Sequence, residues 1–463
     1  MSPVPRSLSM AATSLSEPIR RGTASPSRHQ AHPMSDQKRI VIVGGGIGGL
    51  LLATQLGQQL GRSGRAAITV VDKSPTHIWK PMLHTLAAGT RSLQQQQVVL
   101  LAHASEHGFT YQPGEMRGLD RESREVLIGD LRSPDGELRV PAHRIPYDVL
   151  ILAMGSHAND FGTPGVREHC HFIDSLAQAE VFNDALRTRV MRAMAQDERL
   201  RVAIVGGGAT GVELAAELSR LLELASSYAD PTLRDRLDLT LLEGGPRILQ
   251  AFTPAISSSA THQLRHIGFQ VLTGASVIAA EAEGFRQADG NLVPADLMVW
   301  AAGVKGITFA EGLDGLELNH ANQVRVRPNL QSTMDDTVFV LGDAASLTLA
   351  GATRALPPTA QVATQQAQHL ARHLPAWLEG RPLPEFVFRD FGALVSISDY
   401  NAFGTLGDFG FFRGASIKGR FAHLSHALLY RRHQHALHGF RKATLLWMAE
   451  RLNGCVQPRV RLA

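Results

Sequence analysis

The sequence predicts an α/β protein built on two Rossmann-like domains with parallel sheets. Short β-branched runs alternate with helix-like segments along residues 39–341, a pattern that favours parallel sheets with ligand sites at the carboxyl ends of the strands. Glycine-rich turns follow two of these runs directly, at residues 44–49 and 206–211. Each turn precedes a helix-like segment and a second strand that ends in an acid. This repetition predicts two dinucleotide sites in one chain.

The first glycine motif follows a predicted strand over residues 39–43 and contains Gly44, Gly46 and Gly49. Gly44 permits a tight turn, Gly46 lets the main chain approach a pyrophosphate, and Gly49 lets helix and strand pack closely. The helix that begins here contributes N–H groups and the positive end of its dipole. Asp72 ends the next strand, where an acid accepts a hydrogen bond from a ribose hydroxyl. These features predict the first dinucleotide site.

The second glycine motif contains Gly206, Gly208 and Gly211 and has the same spacing. Its second strand ends in Glu243. A carboxylate at this position favours the 2′-hydroxyl of NAD and repels the 2′-phosphate of NADP. Arg247, four residues further on, is an argument for NADP. We expect NADH at this site in preference to NADPH.

Two more predicted strands, residues 147–153 and 297–301, also end in glycine turns. Ala153 and Gly155 belong to the first turn. Ala302 and Gly303 belong to the second. Because parallel sheets bind ligands at the carboxyl ends of their strands, we expect these four residues to contact the cofactors.

Two acids at strand or helix ends are further candidates. Asp343 follows a strand and a glycine, and in a flavoprotein with two dinucleotides an acid there can bind the ribityl hydroxyls of FAD; the alternative is a turn-capping aspartate. Glu213 lies two residues after the last glycine of the second motif. It either complements the dipole of its helix or acts where nicotinamide and flavin meet.

The composition excludes several classes of protein. The 463 residues contain no run of 18 apolar residues without charge, which argues against a membrane-spanning helix. The two cysteines, Cys170 and Cys455, are far apart and form no CxxC pair, which argues against an iron–sulfur cluster or a thiol redox pair. His433, His435 and His438 are close in sequence but have no carboxylate or cysteine beside them, so we expect no catalytic metal.

The C-terminal region has a different character from the rest of the chain. Residues 413–463 contain ten Lys or Arg and one acid, whereas residues 40–412 contain 30 basic and 39 acidic residues, a net charge of −9. Between residues 420 and 452, apolar residues recur at helical spacing with basic residues and five histidines between them. Such a helix can lie in an anionic bilayer interface. The alternatives are a helix packed on the catalytic body and a contact in a homodimer; without a recognition module, nucleic acid is not expected.

Five segments together resemble one family of flavoproteins. They are HIWKPMLHTLAAG (77–89), VAIVGGGATGVELAAEL (202–218), ADLMVWAAGVK (295–305), LPPTAQVATQQAQ (356–368) and YRRHQHALHGF (430–440). The chain resembles the type II NADH:quinone oxidoreductases, most closely their proteobacterial members, within the disulfide-reductase-like flavoproteins. The resemblance implies non-covalent FAD, NADH as donor, and ubiquinone or menaquinone as acceptor, without proton pumping. It also implies a peripheral protein on the cytoplasmic face of the bacterial inner membrane.

The resemblance also implies roles for particular residues. The family's AQxAxQQ pattern falls on a segment that begins with Ala360, and it implies that this segment lies against the flavin and lines the quinone pocket. Gln361 and Gln365 then contact quinone; the alternative is an ordinary helix whose start touches flavin. Lys80 and Pro81 run close to the isoalloxazine, where Lys80 stabilises the charge of reduced flavin, unless both have a structural role.

The expected organisation has five parts: a disordered N-terminal extension (1–37), a first part of the FAD-binding domain (38–160), an NADH-binding domain (161–300), a second part of the FAD-binding domain with the quinone-site helix (301–384), and a C-terminal membrane-association region (385–463). Two alternative functions stay open. One is a soluble NAD(P)H-dependent reductase that donates electrons to a ferredoxin-like protein, with the basic tail as docking face. The other is a redox-sensing flavoprotein.

Overall fold

The structure is a computed structural model, and it describes residues 37–91, 97–133, 135–228, 231–307, 312–397, 401–406, 416–418 and 420–456. The N-terminal extension predicted to be disordered lies outside the described residues, except for its last residue, Gln37.

Nine α-helices lie within the described ranges. They are α1 (Ile47–Leu56), α2 (Leu83–Ala87), α3 (Leu100–His107), α4 (Val166–His169), α5 (Leu176–Gln196), α6 (Ala209–Tyr228), α7 (Pro254–His266), α8 (Ala360–Leu378) and α9 (Arg420–Val456). The side chains of Thr253 and Thr359 cap α7 and α8 by accepting hydrogen bonds from main-chain N–H groups in the first turn. Gly439, at φ 72° and ψ 171°, interrupts α9.

The strands are mostly short. The first half of the chain contributes β1 (Lys38–Val43), β2 (Ala66–Asp72), β3 (Thr76–His77), β4 (Val98–Val99), β5 (Thr110–Pro113), β6 (Met116–Asp120), β7 (Glu125–Ile128), β8 (Leu131–Arg132), β9 (Leu138–Val140), β10 (His143–Pro146), β11 (Val149–Leu152), β12 (His157–Ala158) and β13 (Leu200–Val205). The second half contributes β14 (Leu237–Glu243), β15 (Phe269–Thr273), β16 (Val277–Glu281), β17 (Gly284–Gln287), β18 (Leu292–Pro294), β19 (Leu297–Trp300), β20 (Val304–Lys305), β21 (Val324–Arg325), β22 (Val338–Val340), β23 (Ala345–Ser346), β24 (Gly392–Ile397), β25 (Asn401–Leu406) and β26 (Ser416–Lys418).

The first large sheet is parallel and has the strand order β22-β11-β1-β2-β5. Its central strand β1 is buried from Ile40 to Val43, as expected for a strand with helices on both faces. Parallel strands present their carboxyl ends at one edge, so the turns after β1, β2, β11 and β22 lie together. The predicted strands at 39–43 and 147–153 are confirmed as β1 and β11.

The second large sheet is also parallel and has the order β15-β14-β13-β19. The turn after its strand β13 leads into α6, as the turn after β1 leads into α1. The chain leaves the first sheet after β11, forms the second, and returns to the first with β22. The fold class of two parallel, Rossmann-like sheets is therefore confirmed, while the exact domain boundaries remain predictions.

The described part of the C-terminal region contains a small antiparallel sheet, β24-β25-β26, and helix α9. Leu437 of α9 is buried in the core of the first sheet. Tyr430 packs with Trp79 and Met82 in a separate buried cluster. Across the described ranges, no helix is long and apolar enough to pass through a bilayer.

Candidate active site

The turn between β1 and α1 has the shape of a dinucleotide cradle. Gly44 has a φ of 106°, and a Cβ there would lie less than 3.0 Å from the carbonyl oxygen of Ala153 on β11's turn. A Cβ on Gly49 would lie even closer to the carbonyl oxygen of Gly44. At Gly46 the nearest heavy atom to a Cβ is 4.0 Å away. Packing requires glycine at positions 44 and 49, and Gly46 leaves space where a pyrophosphate fits.

Asp72 lies beside this turn. Its Oδ2 accepts a hydrogen bond from Gly45 N at 2.6 Å, and its Oδ1 accepts one from Ser74 N at 2.8 Å. Burial raises the pKa of this carboxyl, and the two main-chain donors oppose that shift. A carboxylate has about four acceptor positions, so Asp72 retains capacity for a ribose hydroxyl.

The turn between β13 and α6 repeats the arrangement. Gly206 has a φ of 114°, and a Cβ there would lie 2.7 Å from the carbonyl carbon of Ala301 and 2.8 Å from Ala302 N. A Cβ on Gly211 would lie less than 3.0 Å from Gly206 O, whereas a Cβ on Gly208 would have no heavy atom within 4 Å. This turn also fits a pyrophosphate. Of the residues in the adjoining turns, Gly155 and Gly303 have φ of 73° and 66°.

Glu243 is the counterpart of Asp72. Its Oε2 accepts from Gly207 N at 2.8 Å, and its Oε1 accepts from Gly245 N at 2.7 Å and from Gln250 Nε2 at 3.1 Å. Gln250 is a residue that the sequence analysis did not identify. These donors fix the carboxylate beside the second glycine turn, where it was expected.

Arg247 points into its own loop. Its guanidinium donates to three main-chain carbonyls, Leu249 O at 3.2 Å, Phe252 O at 2.9 Å and Gln250 O at 2.9 Å. An arginine that binds a 2′-phosphate must offer these N–H groups to the ligand. The argument for NADPH is therefore weaker in the structure than in the sequence.

Asp343 and Lys80 belong to one hydrogen-bonded network. Ser156 Oγ donates to Asp343 Oδ2 at 2.6 Å, and Lys80 Nζ donates to Ser156 O at 2.9 Å. Lys80 Nζ also lies 3.5 Å from Asp174 Oδ1. Ser156 and Asp174 were missed from the sequence; the only signal for Ser156 was its place directly after Gly155.

The glutamines of α8 bind main chain at two different places. Gln361 Oε1 accepts from Phe391 N at 2.7 Å. Gln365 makes two hydrogen bonds to Arg389, from its Nε2 to Arg389 O at 2.8 Å and from Arg389 N to its Oε1 at 3.0 Å. Gln366, fully buried, accepts from Gly342 N at 2.6 Å beside Asp343. The predicted quinone contact of Gln361 and Gln365 stays a prediction, since both amides here hold the segment that leads into β24.

Glu213 is buried where three elements meet. Its Oε1 accepts from Ser396 N of β24 at 3.0 Å, and its Oε2 lies 3.6 Å from Nδ1 of His84 on α2. Burial, with a smaller contribution from the negative charge of Glu217, raises the pKa of Glu213 to about 8, although the Ser396 N–H opposes the shift. Glu213 therefore connects α6 to β24 and α2, and its role where nicotinamide and flavin meet stays a prediction. His84 is a further residue that was not identified from the sequence.

The two cysteines were not expected to form a thiol redox pair, and the C-terminal histidines were not expected to hold a catalytic metal. Cys170 is half-buried, and burial raises the pKa of its thiol to about 12, so it is not a reactive thiolate. The side chain of Cys455 lies outside the described residues. Within the described ranges, no group of three or more His, Cys, Asp or Glu side chains is arranged to hold a metal ion.

Two cradles, each with its own carboxylate, define a protein that holds two dinucleotides on two parallel sheets. Residues 38–367 match the family described as pyridine nucleotide-disulphide oxidoreductase. Among solved structures, that of NDH2 from Plasmodium falciparum in complex with NADH has a TM-score of 0.78 and covers 92% of this chain and 100% of that chain, at 18% sequence identity. That likeness supports the fold.

The sequence relatives are more specific. A type II NADH:quinone oxidoreductase from Haemophilus influenzae is 38% identical in an alignment of 443 positions that covers 92% of this chain and 100% of that protein. One from Staphylococcus saprophyticus is 26% identical and covers 80% of this chain and 90% of its own length. The chain belongs to the type II NADH:quinone oxidoreductases. At the level of the family, the expected FAD, NADH and quinone are confirmed.

Proposed function

We propose that this chain passes electrons from NADH to a membrane quinone at one FAD site, and that it does so on a lipid surface. The observation that supports this most directly is the pair of glycine cradles, each with a carboxylate hydrogen-bonded to its turn, at Gly45 N and Gly207 N. FAD supplies the chemistry that links a hydride donor to a quinone. The protein supplies binding, orientation and charge.

The first cradle would hold FAD and the second NADH. Gly46 and Gly208 offer space for the two pyrophosphates, and Asp72 and Glu243 offer acceptors for the ribose hydroxyls. Asp343, held by Ser156 Oγ, would meet the ribityl chain. Lys80, held against Ser156 O, is the cation of this network, and we propose that it stabilises negative charge on reduced flavin.

Glu213 would keep a proton near the nicotinamide. A carboxyl group with a pKa of about 8 is mostly neutral at pH 7, so it places little negative charge in this buried region. His84 Nδ1, 3.6 Å from Glu213 Oε2, is a neighbouring group that can exchange this proton.

The start of α8 would form one wall of the quinone site. Ala360 and Gln361 lie in the first turn of this helix. Gln361 and Gln365 fix the main chain of residues 389–392. We propose that these amides position that wall and that Gln361 contacts the quinone when it binds.

Helix α9 would lie on the membrane surface. Many of its apolar side chains are exposed: Leu428, Leu429, Phe440, Leu445, Leu446, Trp447, Met448, Leu452 and Val456. Basic residues outnumber the single acid in residues 413–463, which favours an anionic surface. We propose the cytoplasmic face of the bacterial inner membrane, where NADH is present. A homodimer contact through the same side chains is the alternative.

Two variants test the membrane proposal. Leu445→Gln and Leu452→Gln together remove two exposed apolar side chains, at 60% and 69% exposure, and Val181→Gln removes one at 61% on α5 as the control. Each leucine buried in lipid contributes about 1.5–3 kcal/mol, so the double variant should bind phosphatidylglycerol vesicles at least ~10-fold more weakly in co-sedimentation. Equal binding would refute the role of α9. A wild-type dimer that dissociates in the double variant without lipid would assign the face to the dimer.

Turnover tests the catalytic proposal. The holoenzyme should oxidise NADH with a short-chain ubiquinone as acceptor, and the Gly208→Ala variant should do so more slowly. Turnover with a ferredoxin-like protein and none with quinone would favour the soluble reductase instead.

A further inference from the structure

An open cleft runs between the FAD-side helix α3 and the second half of α9. Its volume is about 460 Å³, within the roughly 300–1,000 Å³ of small-molecule sites. Apolar side chains from β4, α3 and α9 line it: Val98, Val99, Ala102, Leu445, Leu446 and Ala449. The cleft lies outside the catalytic network, because Lys80, Gln361 and Gln365 are not among its lining residues.

The cleft continues inward into a smaller recess of about 90 Å³. Gln97, Val98, His438 and Leu446 line both spaces. Trp79 and Tyr430 also line the recess, and their rings lie 5.3 Å apart. The two spaces adjoin, since they share these four residues, so a chain-like ligand in the cleft can extend into the recess.

The inner walls carry little charge at neutral pH. Nε2 of His77 and Nε2 of His433 lie 3.1 Å apart and share a hydrogen bond, and Nδ1 of His77 bonds to Gly45 O. Burial lowers the pKa of His77 to about 4 and that of His103, on the outer wall, to about 3. Burial also holds the pKa of His433 well below its usual value. Neutral imidazoles give an ionic ligand no partner in the recess, and the apolar side chains of the outer cleft favour a hydrocarbon.

Charged side chains lie at the mouth of the cleft. Lys442 lines it, and Nζ of Lys442 bonds to Oε2 of Glu106 at 2.7 Å, with both side chains about half exposed. Two of the apolar side chains that line the cleft are themselves exposed, Val99 at 52% and Leu445 at 60%. Arg441, beside Lys442, is exposed as well. Two cations, Lys442 and the neighbouring Arg441, stand against the single carboxylate of Glu106, and an apolar cleft with this excess of positive charge complements a lipid with an anionic headgroup.

We propose that this cleft binds one anionic phospholipid, with an acyl chain between α3 and α9 and its phosphate at Lys442. The proposal rests on the placement of α9 at a membrane in the proposed function, and it adds a defined lipid site to that surface. The lipid would tie α3, a part of the FAD-side domain, to the membrane together with α9.

Native mass spectrometry tests the site directly. The holoenzyme is released from nonionic detergent that contains either dioleoylphosphatidylglycerol or dioleoylphosphatidylcholine. We expect one retained phosphatidylglycerol per chain. Ala102→Leu and Ala449→Leu fill the cleft from exposed alanine positions, and each methylene they exclude should weaken retention about 4-fold. Ser105→Leu adds the same side chain to α3 outside the cleft and should retain lipid as wild type does.

The headgroup contact has its own variant. Lys442→Gln should reduce the preference for phosphatidylglycerol over phosphatidylcholine about 5-fold, the effect of one lysine at an anionic surface. Equal retention by wild type and both cleft variants, or no retained lipid in wild type, would overturn the site. Lipid displaced by decylubiquinone, with an altered quinone KM in Ala102→Leu, would assign the cleft to the quinone tail.

The two proposals fail separately. Loss of vesicle binding in co-sedimentation bears on α9 as a whole, whereas retention in detergent micelles bears only on the cleft. A chain that sediments with vesicles in both cleft variants but retains lipid in neither would support both proposals.

Discussion

Two glycines of the second turn have different roles that mutation can separate: Gly208 leaves space for the ligand, and Gly211 lets the helix and the turn pack closely. A Cβ at Gly208 would have no heavy atom within 4 Å, so alanine fits the folded chain there. It would, however, occupy the space into which a pyrophosphate must come. Loss of one charge-assisted main-chain hydrogen bond costs about 1.5–3 kcal/mol, which corresponds to about 10- to 150-fold weaker NADH binding.

Gly211→Ala should lower the stability of the fold instead of occupying the pyrophosphate space. Its Cβ would lie less than 3.0 Å from Gly206 O, so helix α6 and the turn must move apart. Overpacking of this kind costs about 1–3 kcal/mol, and each kcal/mol lowers the Tm of a domain this size by about 2–4 °C.

Both variants are measured in the same two assays, the KM for NADH at saturating quinone and thermal unfolding followed by circular dichroism. We expect Gly208→Ala to raise the KM with an unchanged Tm, and Gly211→Ala to lower the Tm. The flavin absorbance of each purified variant reports whether the first cradle is intact. If Gly208→Ala binds NADH as wild type does, the turn after β13 is not the NADH cradle.

Three further perturbations have defined outcomes. The pKa of Glu213 is raised from 4.5 to about 8 in the folded chain, so only the unfolded chain loses this proton between these two pH values. The burial of Glu213 therefore destabilises the fold increasingly as the pH rises from 4.5 to about 8, and Glu213→Gln should have a higher Tm than wild type at pH 8 but not at pH 4. Equal differences in Tm at both pH values would exclude the raised pKa. Lys80→Gln should lower the flavin midpoint potential by about 30 mV, as measured by spectroelectrochemistry, if the ammonium contributes about 1.4 kcal/mol to reduced flavin; an unchanged potential would leave Lys80 a structural role. Glu243→Ala should lower the ratio of kcat/KM for NADH to that for NADPH, chiefly because NADH binds more weakly, since the Arg247 guanidinium donates to main-chain carbonyls and is not offered to a 2′-phosphate. A large gain in NADPH turnover would show that Arg247 leaves these carbonyls.

The glycine cradles were the most predictable part of the molecule. Their spacing is set by contacts within a few residues, such as that between Gly44 and Gly49, and by the close approach of another turn, as at Gly44 beside Ala153. Strand and helix periodicity likewise located β1 and β11 to within a few residues, since a buried parallel strand is a nearly continuous apolar run.

Long-range partners were not predictable. Ser396 lies 183 residues from Glu213, and only the folded chain brings its N–H to that carboxylate. The direction of the Arg247 side chain depends on how the carbonyls of residues 249–252 turn, which local sequence does not specify. Gln361 and Gln365 were predicted to contact quinone, and the structure adds that their amides reach residues 389–391, over 20 residues later.

The most direct test of the account is anaerobic flavin absorbance of the purified protein in detergent, with NADH added first and a short-chain ubiquinone second. We predict bleaching by NADH and full recovery with quinone, which would place both half-reactions on one flavin. Bleaching without recovery would contradict the quinone site while keeping the nicotinamide site. No bleaching by NADH would contradict the second cradle itself.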